Sequence, residues 1–399
     1  MTAFVPHRVG LYLAVVQFFF TLTWTVYVIF LPRLAAEAGI PKQTLIFILM
    51  LDQLIFACMD LAMGVMADRV SRAVGKLGHV VLGVTLFSCL AFLLLPLAAP
   101  GGAAWLFIAL TVLWSASSSV LRAPPLMLLG KYAARSSVPW LSALSLFGLG
   151  AASAVSPYLT VALRDTDPRL PFALSSIALA LATFGVVWVE RRLAANPAPA
   201  ATPNTEAAKP VHPVFWFLFS VALLGLGFQI HFAMNSAPLY LRFAKPADLE
   251  YLMPVFWIGF NLLMLPATLA TRRFGGLAVM GAGALVGALA AYLASGAGSL
   301  GILIAMQFIA GGAWGCVLMS AVAAALVIGH TGREGKVTGT LFSLLALATF
   351  ARMAVVAAQL NKDPQFSALL GWLPVAAWML AGALLLLLLP LRRRAAVAN

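Results

Sequence analysis

Long apolar runs separated by short polar stretches organise this sequence. Windows of about 20 apolar residues, enough to cross a hydrocarbon core about 30 Å thick, fall at 9–31, 43–66, 78–98, 103–127, 138–161 and 170–189. Six more fall at 214–240, 251–270, 276–295, 299–328, 337–359 and 368–391. Each is predicted to be a transmembrane helix, because a helix satisfies its own backbone N–H and C=O groups where water is absent. Between the sixth and seventh runs, Glu190 to Pro213 reads ERRLAANPAPAATPNTEAAKPVHP, rich in Pro and Ala and without an apolar period, as a tether is. The pattern predicts an all-α integral membrane protein of twelve helices in two pseudo-symmetric six-helix bundles, residues 1–189 and 214–399, joined by a cytoplasmic linker at 190–213. The first run follows His7 and Arg8, but it is longer than the apolar core of about 7–15 residues of a signal peptide. It is expected to remain as the first membrane helix.

Composition narrows the choice. Of 399 residues, 63% are hydrophobic and 9% charged, against about a quarter charged in soluble domains. A net charge of +13 would suggest nucleic acid only if the cations clustered on a soluble face; here they lie in loops between apolar runs. Cys58, Cys89 and Cys316 lie inside those runs without paired spacing or neighbouring histidines, so neither a disulfide frame nor a metal site is expected.

The loop cations report orientation, since Lys and Arg favour the cytoplasmic side. One set of alternate loops and termini holds 16 of the 25 Lys and Arg residues and the other set holds 7, leaving Arg122 and Arg352 inside apolar runs. Both termini, the tether and the loop after the second run are therefore expected to be cytoplasmic, in a multi-pass protein of the cell (inner) membrane. The halves also echo each other: aligning Asp68-Arg69 with Thr271-Arg272 sets Gly64 opposite Ala267, as in transporters built from parallel repeats.

The loop after the second run carries Gly64, Asp68, Arg69, Arg72 and Lys76. This spacing resembles the signature between the second and third helices of the major facilitator superfamily, which runs Gly, three residues, Asp-Arg, then further cations. Ser71 stands where a glycine is usual. With the 6+6 plan, the resemblance spans essentially the whole chain. It implies alternating access by two rocking bundles, with Gly64, Asp68, Arg69 and Arg72 as gating residues and the loop acid meeting the start of the eleventh helix, near Lys336 and Val337. In the fifth run Ser156-Pro157 stands where antiporters of the superfamily often carry Gly-Pro.

Ionisable residues at bilayer depth cost about 2.5–3.5 kcal/mol on insertion scales, and few occur. Asp52 lies ten residues in from Lys42, about 15 Å deep at about 1.5 Å per residue; of the two acids on this helix it is the better candidate for a proton carrier, the alternative being a structural acid. Asp60 lies roughly 12 Å further on, level with Arg122, which ends a stripe of Ser115, Ser118 and Ser119. The two form either a structural pair or part of a gate. Gly227, His231, Asn235 and Pro238 form one stripe on the seventh helix, and Thr349, Arg352 and Gln359 another on the eleventh. An always-charged guanidinium needs a partner, so Arg352 is expected to meet Asp52 across the interface, a gating acid, water or an anionic solute. Gly311, Gly312 and Gly315 around Trp314 suit close helix approach.

No phosphate loop, zinc triad or nucleophile elbow is present, so no enzyme activity, cofactor or metal is expected. These features point to a monomeric secondary active transporter in a lipid bilayer. It would move a small organic solute, such as an organic anion or drug-like compound, with protons as the coupling ion. Asp52 and Asp60 are the candidate proton-coupling residues; Arg122, His231, Asn235 and Arg352 are the candidate substrate contacts. The alternative is a transport-inactive scaffold or assembly factor of the same fold.

Overall fold

The computed structural model describes residues 7–70, 77–122, 125–126, 129, 137–195, 212–329 and 333–397. Among them, twelve helices are long and apolar enough to cross a membrane. The first six are α1 (His7–Glu37), α2 (Leu45–Val70), α3 (Leu77–Ala98), α4 (Ala104–Ser118), α5 (Val138–Ala162) and α6 (Arg169–Ala195). The second six are α7 (His212–Ile230), α8 (Pro254–Phe274), α9 (Gly276–Ser295), α10 (Leu300–Ile328), α11 (Glu334–Ala357) and α12 (Pro364–Val397). Of the gating candidates, Arg72 lies outside the described residues, as do residues 196–211 of the linker. Residues 190–195 continue α6: Glu, Arg, Leu and Ala are good helix formers, and no breaker comes before Asn196-Pro197.

The same helix pairs recur in each half. α1 packs on α5 and α6, α3 on α4 and α6, and α2 on α4; correspondingly α7 packs on α11 and α12, α9 on α10 and α12, and α8 on α10. The halves meet through α2 with α11 and α5 with α8, pairs that exchange under a two-fold axis relating α1–α6 to α7–α12, as parallel repeats require.

Small residues set the approach of these helices, since lipid gives no hydrophobic drive for helices to associate and van der Waals contact must supply it. A Cβ on Gly64 would fall on the Gly335 carbonyl, and one on Gly339 would fall on the Asp60 carbonyl, so α2 and α11 touch backbone to backbone. In α10, Gly311 and Gly315 face the carbonyls of Phe256 and Phe260 in α8. This is the close approach that the glycines around Trp314 imply. The stretch expected as a loop from Gly64 is helical through Val70, the end of α2, and residues 71–76 lie outside the described residues. At the corresponding place in the second half a one-residue turn, Gly275, at φ +87° separates α8 from α9.

Two helices depart from regular α form, each for a local reason. The fourth apolar run is α-helical to Ser118, passes into a 3-10 turn at Ser119–Leu121, and is α-helical again at Pro125 and Leu126. The Ser118 and Ser119 hydroxyls donate back to the Ser115 carbonyl at 3.0 and 3.2 Å, which bends helices, and Pro124-Pro125 follow in the sequence. α7 widens into a π turn at His231–Asn235 before a last α turn at Ser236–Tyr240. Pro238 has no N–H for the Met234 carbonyl, and its ring crowds that position. The stripe expected on α11 is shorter than its spacing suggests: the helix ends at Ala357, and Gln359 adopts a left-handed φ of 57°.

Candidate functional site: a central cavity between the two bundles

α1, α2, α4, α5, α7, α8, α10 and α11 enclose a central cavity of about 490 Å³. Its walls are mostly apolar and include many aromatic rings: Trp24, Phe56 and Trp114 on one side, Phe228, Phe232, Trp257 and Trp314 on the other. Polar groups are sparse, with Gln17, Gln53, Gln229, Thr349 and a few serines among them. The lining contains two guanidinium groups, Arg122 and Arg352, and no carboxylate among the described residues.

Arg122 sits at the floor, where the 3-10 turn ends α4. Its Nε is 3.3 Å from an Asp60 carboxylate oxygen on α2. Its Cζ lies 4.7 Å from the Phe56 ring centre and 5.9 Å from that of Phe342 on α11, both within the range of cation–π attraction. Asp60 is fully buried, and its oxygens accept no hydrogen bond in the structure, so the ion pair is what compensates its charge. A single cation thus touches the acid of one bundle and a ring of the other.

Arg352 projects from α11 further up the cavity. Its Nε donates to Gln229 Oε1 on α7 at 3.1 Å, and no carboxylate lies within ion-pair distance of it among the described residues. Asp52 is elsewhere. It is fully buried between α1, α2 and α4, accepting from the Tyr27 hydroxyl at 2.9 Å and the Ser115 hydroxyl at 2.5 Å. Trp24 and Trp114, stacked with centroids 5.8 Å apart, belong to both the Tyr27 cluster and the cavity wall. The neighbouring residue that reaches the cavity is Gln53.

His231 and Asn235 do not line the central cavity. With Pro238 and Arg242 they border a smaller one of about 200 Å³ between α7, α9 and α12. His231 Nε2 lies within hydrogen-bond distance of Gln307 Oε1 on α10, at 3.1 Å. Asn235 donates to the Leu370 carbonyl at 3.1 Å.

Below the floor, the helix crossing at Gly64 and Gly339 closes the cavity toward the Asp68 end. Asp68 accepts from the backbone N–H of Gly335 at 2.7 Å and of Lys336 at 2.9 Å. Helix N-termini leave such donors unpaired and favour negative charge. Ser343 of α11 donates to the Ala57 carbonyl of α2 at 2.5 Å. Arg69 is exposed at the end of α2. Above this contact the two helices part: Leu49 and Gln53 of α2 face Thr349, Arg352 and Met353 of α11 across open volume. At that far end α5 meets the segment before α8 through Tyr158 and Tyr251, ring centres 5.7 Å apart.

The Major Facilitator Superfamily profile matches residues 13–353. The chain belongs to the major facilitator superfamily. Solved structures of the same fold include a bacterial homologue of the iron transporter ferroportin in its outward-facing state, with 13% identity, 95% of this chain and 98% of that one covered, and a TM-score of 0.74. The human organic anion transporter MFSD10 is 15% identical over 96% of this chain and 100% of that one, with a TM-score of 0.69. The superfamily transporter FucP in its outward conformation is 10% identical over 96% and 99%, with a TM-score of 0.70. At these identities the likeness is one of fold. No curated protein sequence matches the chain. Superfamily membership makes this a multi-pass membrane transporter of small solutes, and not an enzyme.

Tyr27, Gln53, Gln229, Gln307 and Phe342 are among the contacts that the sequence did not single out. Each is one polar or aromatic residue in an apolar run, and only its partner on another helix sets it apart.

Proposed function

We propose that this transporter moves organic anions by alternating access, with protons as the coupling ion. The observation that carries the reading is Arg352, a guanidinium facing an aromatic cavity with a neutral glutamine as its hydrogen-bond partner. A desolvated, uncompensated cation is costly, and a bound anion relieves that cost. A fold kept only as a scaffold would have no use for it. The human organic anion transporter with the same fold is consistent with such a cargo.

Protons enter through Asp60. A proton there cancels the charge that draws Arg122 to α2 and frees the guanidinium beside Phe342 of α11, so protonation and the contact between bundles are linked through one side chain. Asp52 answers to two hydroxyl donors and has no cation to release. With the Asp68 end cytoplasmic, as the loop cations favour, the arrangement is closed to the cytoplasm.

The test uses the full chain in proteoliposomes. An imposed pH gradient is expected to drive uptake of organic anions over matched neutral and cationic compounds, and Arg352→Gln is expected to abolish the preference for anions. Equal uptake of all three charge classes by the unaltered protein, or an Arg352→Gln variant with full anion selectivity, would overturn the reading.

A further inference from the structure

We infer that the anion is a flat aromatic acid with a single charge, held with its acid group on Arg352 and its rings against the α7–α10 wall. This rests on the organic-anion reading above.

The head group follows from the donors left over. Gln229 takes the Nε of Arg352, so Nη1 and Nη2 remain without a protein partner among the described residues. A guanidinium presents such a pair as a planar fork matched to the two oxygens of a carboxylate or sulfonate.

The charge count follows from Asp60. While Asp60 is ionised, Arg122 is matched at 3.3 Å by that acid, and the cavity in this arrangement holds one unmatched positive charge. A monoanion neutralises it. A dianion would bring a second negative charge into an aromatic enclosure of low dielectric with no cation to meet it.

The ring follows from the wall. Phe228, next to Gln229 in the chain, lies parallel to Trp314 at 4.4 Å and 5°, and to Phe232 at 5.8 Å and 6°. Trp314 is in turn nearly parallel to Trp378, at 6.1 Å and 17°. Trp378 is fixed by its indole N–H, which donates to the Leu224 carbonyl at 2.9 Å, and by Gly227 and Gly287, where any side chain would collide with its ring. The parallel rings are therefore set before any ligand arrives, which favours a planar partner in offset stacking. A cavity of about 490 Å³ lies within the range that takes a drug-sized ligand, about 300–1,000 Å³.

The experiment compares four probes on the purified full-length protein by intrinsic tryptophan fluorescence and thermal stabilisation. They are 2-naphthoate, its saturated counterpart decahydro-2-naphthoate, naphthalene-2,6-dicarboxylate and the neutral 2-naphthalenemethanol. 2-Naphthoate is expected to bind at least about tenfold more tightly than each of the others, a difference of about 1.4 kcal/mol. Phe228→Leu should bring the aromatic-to-saturated ratio toward one. The ratios in the unaltered protein decide the matter even if that variant does not fold. Equal binding of the saturated acid or of the dicarboxylate overturns this inference and leaves the organic-anion reading standing. Equal binding of the neutral alcohol overturns both. Binding of none of the four overturns the aromatic assignment, while anion-selective uptake tested with other acids still judges the broader reading.

Discussion

Asp60 and Arg122 stand 3.3 Å apart beneath the central cavity, the acid fully buried and the guanidinium lining the cavity. Removing one partner leaves a buried charge exposed to low dielectric, whereas removing both charges does not. Arg122→Ala is accordingly expected to lower stability by about 3–5 kcal/mol, and the double change Asp60→Asn with Arg122→Gln to recover most of it. Melting curves of the purified variants check this. A double variant no more stable than Arg122→Ala would mean the pair is not what makes Arg122 necessary.

The same pair separates Asp60 from Asp52, the two buried acids of α2, in function. In proteoliposomes, Asp60→Asn is expected to keep exchange of organic anions down their own gradient but to lose the response to an imposed pH gradient. Asp52→Asn is expected to keep that response, since Asp52 meets Tyr27 and Ser115 and no cation. The reverse pattern would transfer the proton to Asp52.

Asp68 caps α11 from across the interface, through Gly335 and Lys336. Loss of a charged cap costs about 1 kcal/mol, so Asp68→Asn should shift the population toward separation of α2 and α11 at that end by about fivefold. Spin-label distances between the two helix ends measure the shift. An unchanged distance distribution would remove Asp68 from the gate.

Gly64 offers a steric counterpart. Because a Cβ there meets the Gly335 carbonyl, Gly64→Val is expected to hold the two helix ends apart by packing alone. The same label pair should read a longer distance that does not change with salt. The effect of Asp68→Asn, by contrast, should shrink as ionic strength rises.

Much of this molecule is legible along the chain, because a bilayer imposes a one-dimensional rule. A backbone in hydrocarbon must be helical and its lipid-facing residues apolar, so run lengths alone mark out twelve helices, and the charge of the intervening loops marks two classes of loop. The contact of Asp68 with α11 is what the resemblance of the Gly64–Asp68 signature to that of the superfamily implies, and a carboxylate is stabilised at a helix N-terminus.

What the sequence leaves open is which buried polar residues meet. Depth along a helix follows from counting, but rotation about it and the neighbour it faces depend on packing between helices far apart in sequence. Asp52, Asp60, Arg122, His231 and Arg352 all read as membrane-depth polar residues. The fold turns Arg122 and Arg352 into the cavity, sets Asp60 behind Arg122, encloses Asp52 with Tyr27, and sends His231, in a π turn, to a second cavity. Gln229 and Phe342 carry no mark in the chain at all; their place at the site comes from α7 and α11 crossing where they do. Local chemistry therefore settles that these segments are membrane helices, while the partners of each buried charge are decided by tertiary packing, because a charge in low dielectric is stable only beside the group that compensates it.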